Sequence, residues 1–440
     1  MANNPVEHGE RAGQRRLDQY LDDLAAVLGH VDREEPFRSY CIGLLLDGTR
    51  KSVEPMAARL EPERVPAKHQ SLHHFVAQAA WSDTALLEAV HRHVVPKMER
   101  HGPITTWIVD DTGIPKKGRH SVGVARQYCG QIGKQDNCQV AVTLSLANEH
   151  ASLPVAYRLY LPEAWAGDAE RRATAGVPLS LTFQTKPQIA LEQIRAACAA
   201  GLPRGILLAD AAYGNDTEFR TELTALGLIY AVGILSSTTV WAPGTEPLPP
   251  KPWSGRGRRP TRQRRDEEHK PTSVKDLALS LPASQWHRVT WRAGTAEALS
   301  SRFARLRVRP AHRDETRAEP RPEEWLLIEW PVGEAEPTKY WLSTLPAETG
   351  PEVLVGTAKG RWRIERDYEE LKQEVGLNHY EGRNWRGHHH HASLCIAAYG
   401  FLVAERSLFP PEQGPGYWYS QTPALPEDFR PRGAGHRPAA

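Results

Sequence analysis

The stretch Gly205-Ile206-Leu207-Leu208-Ala209-Asp210 decides how this chain folds. Four apolar residues between a glycine and an acid are too few for a stable helix. They suit a strand buried on both faces, in the middle of a layered sheet. A second such run fills residues 104–111 and closes on Trp107-Ile108-Val109-Asp110-Asp111. An acid at the carboxyl end of a buried strand is costly unless it is paired or holds a metal. Ligand sites in open α/β sheets gather at those same ends. Either acid taken alone could be a turn-former or a helix N-cap. Both together ask for a chemical reason.

Working outward, residues 139–146 and 153–161 are β-rich and separated by a polar turn, which predicts a hairpin pair. Residues 187–200 and 216–226 read as helices, and 228–235 as another apolar strand. This order predicts a mixed α/β core with one layered sheet, its first part over 101–235. Residues 1–100 read instead as an N-terminal helical bundle. Residues 1–15 are polar and expected to fray. Leu17, Tyr20, Leu21, Leu24, Val27 and Leu28 recur at helical period, and further helices are expected at 37–47, 50–59, 71–81 and 83–99, the last capped by Ser82. Residues 236–345 form a β-rich insertion. A mobile basic loop comes first, with six arginines and no acid over 255–265. A small β platform follows, with strands at 286–291, 303–308, 325–330 and 339–343. Residues 346–409 complete the core, and the Pro/Gly-rich stretch 410–440 is expected to be a disordered tail.

Composition narrows the class. The chain has 440 residues, and its 55 Lys and Arg exceed its 53 Asp and Glu by only two. Any nucleic-acid surface must therefore be local. Five cysteines without Cys-x-x-Cys spacing argue for a reducing, cytoplasmic setting and against a zinc finger or disulfide framework. The longest apolar stretch, 394–404, is far short of the ~20 residues a bilayer requires. No membrane partner is expected.

Residues 361–372 read Arg-Trp-Arg-Ile-Glu-Arg-Asp-Tyr-Glu-Glu-Leu-Lys. At about 100° per residue, Arg361, Glu365, Tyr368 and Lys372 share one helical face, with Ile364, Leu371 and Val375 beside it. Such pairs are ordinary on solvated helices, at about 0.2–0.5 kcal/mol each. The company of the two strand-borne acids changes the reading. Three carboxylates without Cys or His specify a hard, oxygen-preferring cation, Mg²⁺ or Mn²⁺. Two such ions ~3.5–4 Å apart stabilise the attacking and leaving oxygens of an in-line phosphoryl displacement. A nuclease or strand transferase follows on physical grounds.

The motifs Val109-Asp110-Asp111-Thr112-Gly113, Leu208-Ala209-Asp210-Ala211-Ala212-Tyr213-Gly214 and Arg361-Trp362-Arg363-Ile364-Glu365, with Lys372, resemble a family. The chain resembles the bacterial insertion-sequence transposases of the Asp-Asp-Glu class, in the branch whose last motif is Tyr-x2-Arg-x3-Glu-x6-Lys. The stretches Leu-Tyr-Leu-Pro-Glu-Ala-Trp at 159–165 and Tyr-Glu-Gly-Arg-Asn-Trp-Arg-Gly at 380–387 look like the same branch. The resemblance implies a ribonuclease-H-like core interrupted by the β-rich insertion, with Asp111, Asp210 and Glu365 as catalytic metal ligands. The family's first acid precedes a threonine, which makes Asp111 the ligand and Asp110 a supporting neighbour. Arg361 and Lys372 would orient phosphates. The family's tyrosine falls on Ala358 here, a departure. Implied too are double-stranded DNA as partner, both element ends and target, a homodimer on that DNA, and residence on the bacterial nucleoid when bound. The rival readings are a DNA-binding regulator that keeps the fold without cutting, and a carboxylate-pair hydrolase such as a glycosidase.

Lys116, Lys117, Arg119 and Arg126 fall in the polar loop after the first strand, where cations could grip phosphates or simply face water. The arginines of 256–265 would give sequence-independent DNA binding or form a charged linker. Trp362 and Trp341 could stack on a displaced base or sit in the core. His388, His389, His390 and His391 point around all sides of a helix, so they form no single ligand set.

Overall fold

The computed structural model describes residues 5–293 and 298–409. The disordered tail expected at 410–440 lies outside the described residues. Five helices come first: α1 (Pro5–Ala25), α2 (Glu34–Leu45), α3 (Val53–Leu60), α4 (Val65–Ala77) and α5 (Asp83–Met98). The Ser82 hydroxyl caps α5 by accepting the Ala85 N–H at 3.1 Å. Helix α1 starts at Pro5, so residues 5–15 are helical rather than frayed, and residues 1–4 lie outside the described residues. The chain then runs through β1 (Thr106–Pro115), β2 (Ala125–Cys129), β3 (Lys134–Ala147), β4 (Ser152–Leu159), α6 (Glu163–Ala166), α7 (Ala169–Thr174) and α8 (Lys186–Ala199). Next come β5 (Ile206–Ala209), α9 (Ala211–Gly214), α10 (Thr217–Ala225) and β6 (Tyr230–Ile234). Then follow β7 (Thr239–Trp241), β8 (Thr272–Ser273), α11 (Val274–Leu279), β9 (His287–Ala293), β10 (Ala298–Pro310), β11 (Glu324–Trp330) and β12 (Lys339–Ser343). The helices α12 (Pro351–Lys359), α13 (Arg363–Gln373) and α14 (Trp385–Leu408) close the described chain.

Two units share these elements. Of the described residues, the first holds 5–105, 110–203 and 363–409, and the second holds 106–109, 204–293 and 298–362. In the first unit α14 is the central rod. It is apolar around nearly its whole circumference, and such a helix is stable only when surrounded. Tyr20 donates to the Ala397 carbonyl at 2.7 Å, and Arg16 grips Glu405 with two bonds of 2.8 and 2.6 Å. The four histidines near its start are all buried. They fasten it to several elements: His388 to the Tyr157 hydroxyl at 3.0 Å and His389 to the Leu159 N–H at 3.2 Å, both on β4, and His391 to the Tyr40 hydroxyl at 2.9 Å on α2. His390 lies between the carbonyls of Val76 (3.1 Å) and Trp81 (3.0 Å). Strands β3 and β4 pair antiparallel in this unit, as their hairpin pattern predicts, and β2 lies along the other edge of β3.

In the second unit the sheet is mixed. The start of β1 runs parallel to β5 (Trp107 opposite Leu207), and β5 parallel to β6 (Leu208 opposite Ala231). Strand β12 joins β6 antiparallel with Leu342 opposite Val232, and β11 and β10 continue outward. The strands expected as a β platform therefore extend the same sheet. Period-two alternation covers both faces. Leu326 and Ile328 join Leu306, Leu342 and α11 on one face, while Trp325 and Leu327 join Phe303, Trp341 and α12 on the other. Among the described residues no helix is long and apolar enough to cross a membrane.

Candidate functional site

Strand β1 does not stop at its acids but runs on to Pro115. The sequence pattern ends it at Asp111 because the apolar run ends there. Pairing with β5 ends at Ile108, and from Asp110 onward the strand belongs to the first unit. Asp110 is buried, and its carboxylate accepts the Asp111 N–H at 2.9 Å. Asp111 is half-exposed, so it is the acid of the pair that can reach a ligand in solvent. Its Oδ2 is ion-paired with the ammonium of Lys186, at the start of α8. The Thr185–Gln188 capping box fixes that helix start and so sets the origin of the lysine. Sequence reasoning missed Lys186; the capping signal was readable, but its pairing with an acid 75 residues earlier in the chain was not.

Helix α13 is fastened to the same part of the first unit. The Tyr368 hydroxyl meets Thr143 Oγ1 on β3 at 2.5 Å, and the Lys372 ammonium donates to the Gly113 carbonyl at 2.9 Å. Burial pushes the Tyr368 hydroxyl well up, and the charges of Asp110 and Asp111 push it further. Burial pulls Lys372 down, against the attraction of Cys129 and Asp110. Behind them, burial raises the Asp367 carboxyl to about 7, although Ser152 (2.5 Å) and Tyr399 (3.1 Å) both donate to it. Glu365 stands exposed in the first turn of α13. The predicted face holds for Glu365, Tyr368 and Lys372 but loses Arg361. That residue lies in a 3₁₀ turn, Gly360–Trp362, before the helix starts.

The second unit holds Asp210 one residue past β5. Its carboxylate accepts the Ala212 N–H at 2.9 Å and caps the short α9, while remaining half-exposed. Two glycines allow α9 to lie on β6. A Cβ at Gly214 would stand 2.1 Å from the Gly233 carbonyl oxygen, and one at Gly233 would stand 2.9 Å from the Ala211 nitrogen. The turn carrying Arg361 packs on β5, where a Cβ at Gly360 would meet Leu208 Cδ1 at 3.3 Å. The Trp362 ring is covered by the Arg292 guanidinium, 3.9 Å from its centroid. Trp341 is buried in the core.

The loop cations divide. Lys116 is half-buried and donates to the Tyr380 carbonyl at 2.7 Å, and burial lowers it to about 8. Lys117 and Arg119 are exposed. Arg126 is exposed too, but on β2 opposite Asn137 rather than in the loop.

Asp111 beside Lys186 and Asp210 at the start of α9 are accessible carboxylates, and among the described residues no group of three or more His, Cys, Asp or Glu is placed to hold a metal ion. The chain belongs to the DDE superfamily endonuclease family, which matches residues 23–298, a span containing Asp111 and Asp210. It is also similar to a probable transposase for insertion sequence element IS701 from Microchaete diplosiphon, 30% identical over 222 residues. That match takes in 50% of this chain, and the chain spans about half (54%) of the relative's length.

Proposed function

We propose that this protein is a DNA transposase that cuts at the ends of an insertion sequence and joins them to target DNA. It would belong to the Tyr-Arg-Glu-Lys branch and have a ribonuclease-H-like core. The family match across both aspartate motifs, with the 30% identity to a probable transposase, carries this reading. Asp111, Asp210 and Glu365 would hold Mg²⁺ or Mn²⁺. The fit rests on the donors: all three are carboxylates, Asp111 and Asp210 are half-exposed, and Glu365 is exposed. An all-oxygen set of this kind suits a hard cation. When bound, such ions activate the attacking oxygen and neutralise the leaving one.

The chain's own residues do the positioning. Lys372, anchored on the Gly113 carbonyl, keeps positive charge beside the strand of Asp111. Arg361 would orient a phosphate, with Lys117, Arg119 and Arg126 steering the backbone. The first reaction breaks a phosphodiester with water and frees a 3′-hydroxyl. In the second, that hydroxyl displaces a 3′-oxygen of target DNA, so the number of phosphodiesters is conserved. Two ends must be held together, which calls for a homodimer on DNA. The test is nicking of end-containing duplex with Mg²⁺, in wild type and in Asp210→Ala. Cutting that vanishes in the variant while DNA binding persists supports the proposal. Tight binding by the wild type with no cutting in Mg²⁺ or Mn²⁺ would establish the regulator reading instead.

A further inference from the structure

The loop between β7 and β8 folds into a basin. Leu248 and Arg264 exchange both backbone hydrogen bonds (3.0 and 2.9 Å), closing residues 248–264 into a ring. The Arg264 guanidinium braces that closure by donating to the Pro249 carbonyl at 2.9 Å. Gly255 and Gly257, at φ +83° and +76°, turn the chain at the tip, and the Trp253 indole N–H spans it to the Gly257 carbonyl at 3.1 Å. The ring borders an open basin of about 460 Å³ whose lining includes Lys251, Arg258, Arg259, Arg262, Arg264 and Gln263. Five cations and no carboxylate line it. The acids that follow, Asp266 to Glu268, are not among its lining residues, and Asp266 turns back to the backbone and ring of His269.

Gln263 supplies an independent observation. It is only 6% exposed, yet neither its Oε1 nor its Nε2 has a hydrogen-bond partner. A buried amide left unmatched keeps the cost of its lost hydration with nothing to offset it. A ligand with acceptor oxygens would match the donor half of that amide, Nε2, in a basin whose charge already selects an anion. Trp253, 54% exposed on the same ring, adds an aromatic face of the kind on which bases stack.

We propose that this basin is a separate nucleic-acid backbone site. A DNA phosphodiester would enter between Arg258, Arg259 and Arg262 and accept the Gln263 amide N–H. The inference rests on the transposase reading only in choosing DNA as the source of the phosphate.

The experiment uses the full chain, a labelled duplex of arbitrary sequence and EDTA, with affinity followed across a salt series. Arg258→Ala/Arg259→Ala/Arg262→Ala should weaken binding at least about ten-fold. It should also flatten the dependence of log K on log salt by about 2–3, because each phosphate no longer neutralised removes about 0.9 from that slope. Gln263→Leu should weaken binding several-fold with the salt slope unchanged and with no loss of thermal stability, because it removes an unmatched amide. An unchanged slope in the triple variant overturns the proposal. So does competition by low-millimolar inorganic phosphate that disappears in the triple variant, since the basin is then a site for the free anion. Cutting by wild type is scored separately. A protein that cuts with an unaltered slope in the triple variant refutes only this site, and one that shows the slope change without ever cutting refutes only the enzyme.

Discussion

An added methyl at Gly214 has nowhere to go, because the atom it would meet at 2.1 Å is the backbone oxygen of Gly233 and cannot rotate away. Gly214→Ala should therefore push α9 off β6 and cost about 1–3 kcal/mol in urea unfolding. Asp210, which caps α9, should be displaced with it. Lys186 offers a residue-scale test of a different kind. Its ammonium occupies Asp111 Oδ2, so a cation binding there must displace it. The pair is partly exposed and worth at most about 1 kcal/mol. Lys186→Met should tighten Mn²⁺ binding by roughly five-fold in calorimetric titration, the factor that such a free energy allows. Weaker binding would mean that the lysine supports the site instead of competing for it. The placement of Asp111 and Asp210, partly exposed acids after buried apolar runs, was legible because acids seldom follow such runs. Lys186 was not, since its partner lies on a distant strand and no local pattern names it.

Among the elements, α14 carries the strongest pH argument. Burial, the largest effect, holds His390 and His391 down at about 4, against carbonyl contacts that pull the other way. A neutral His390 has one N–H and can serve only one of its two carbonyls. Both rings have folded values below the ordinary 6.5, so the unfolded chain takes up protons first as pH falls. Stability is then complete above about 6.5 and lost between about 6.5 and 4, on the order of 3 kcal/mol per ring. Urea midpoints should drop over that window, and His391→Gln should shallow the drop by up to about 1.4 kcal/mol per pH unit. An equally steep profile in the variant would show that the ring is not the titrating group. Helix α14 was visible as an apolar run, but the burial of its histidines was not, because four polar residues in a row resemble a solvated surface. Strands β11 and β12 were readable from their aromatic alternation. Strand β2 escaped because Ala125-Arg126-Gln127-Tyr128 leaves its polar side chains exposed. The face of 361–372 was drawn one turn too long because nothing in Gly360-Arg361-Trp362 distinguishes a 3₁₀ turn from α-helix.

At the scale of the whole molecule, the proposed chemistry asks residues widely separated in the chain to act as one. A shared cation stabilises the folded chain by RT ln(1 + [L]/Kd), about 2.7 kcal/mol at a hundred-fold excess over Kd. Millimolar Mn²⁺ should then raise the melting temperature of the wild type, and Asp111→Ala, Asp210→Ala and Glu365→Ala should each abolish that rise. Groups that ligate the same ions are not additive, because losing one already disables the rest. The double variant Asp111→Ala/Asp210→Ala should thus cut DNA no more slowly than either single variant, with each down by at least about 10³-fold. Independent roles would instead multiply the losses. The melting measurement reads the ions without any reaction, so it also separates a chain that binds metal but lacks a suitable DNA end from one that binds no metal. A metal-induced rise that survives in all three single variants would remove the reason for assigning these acids to one task.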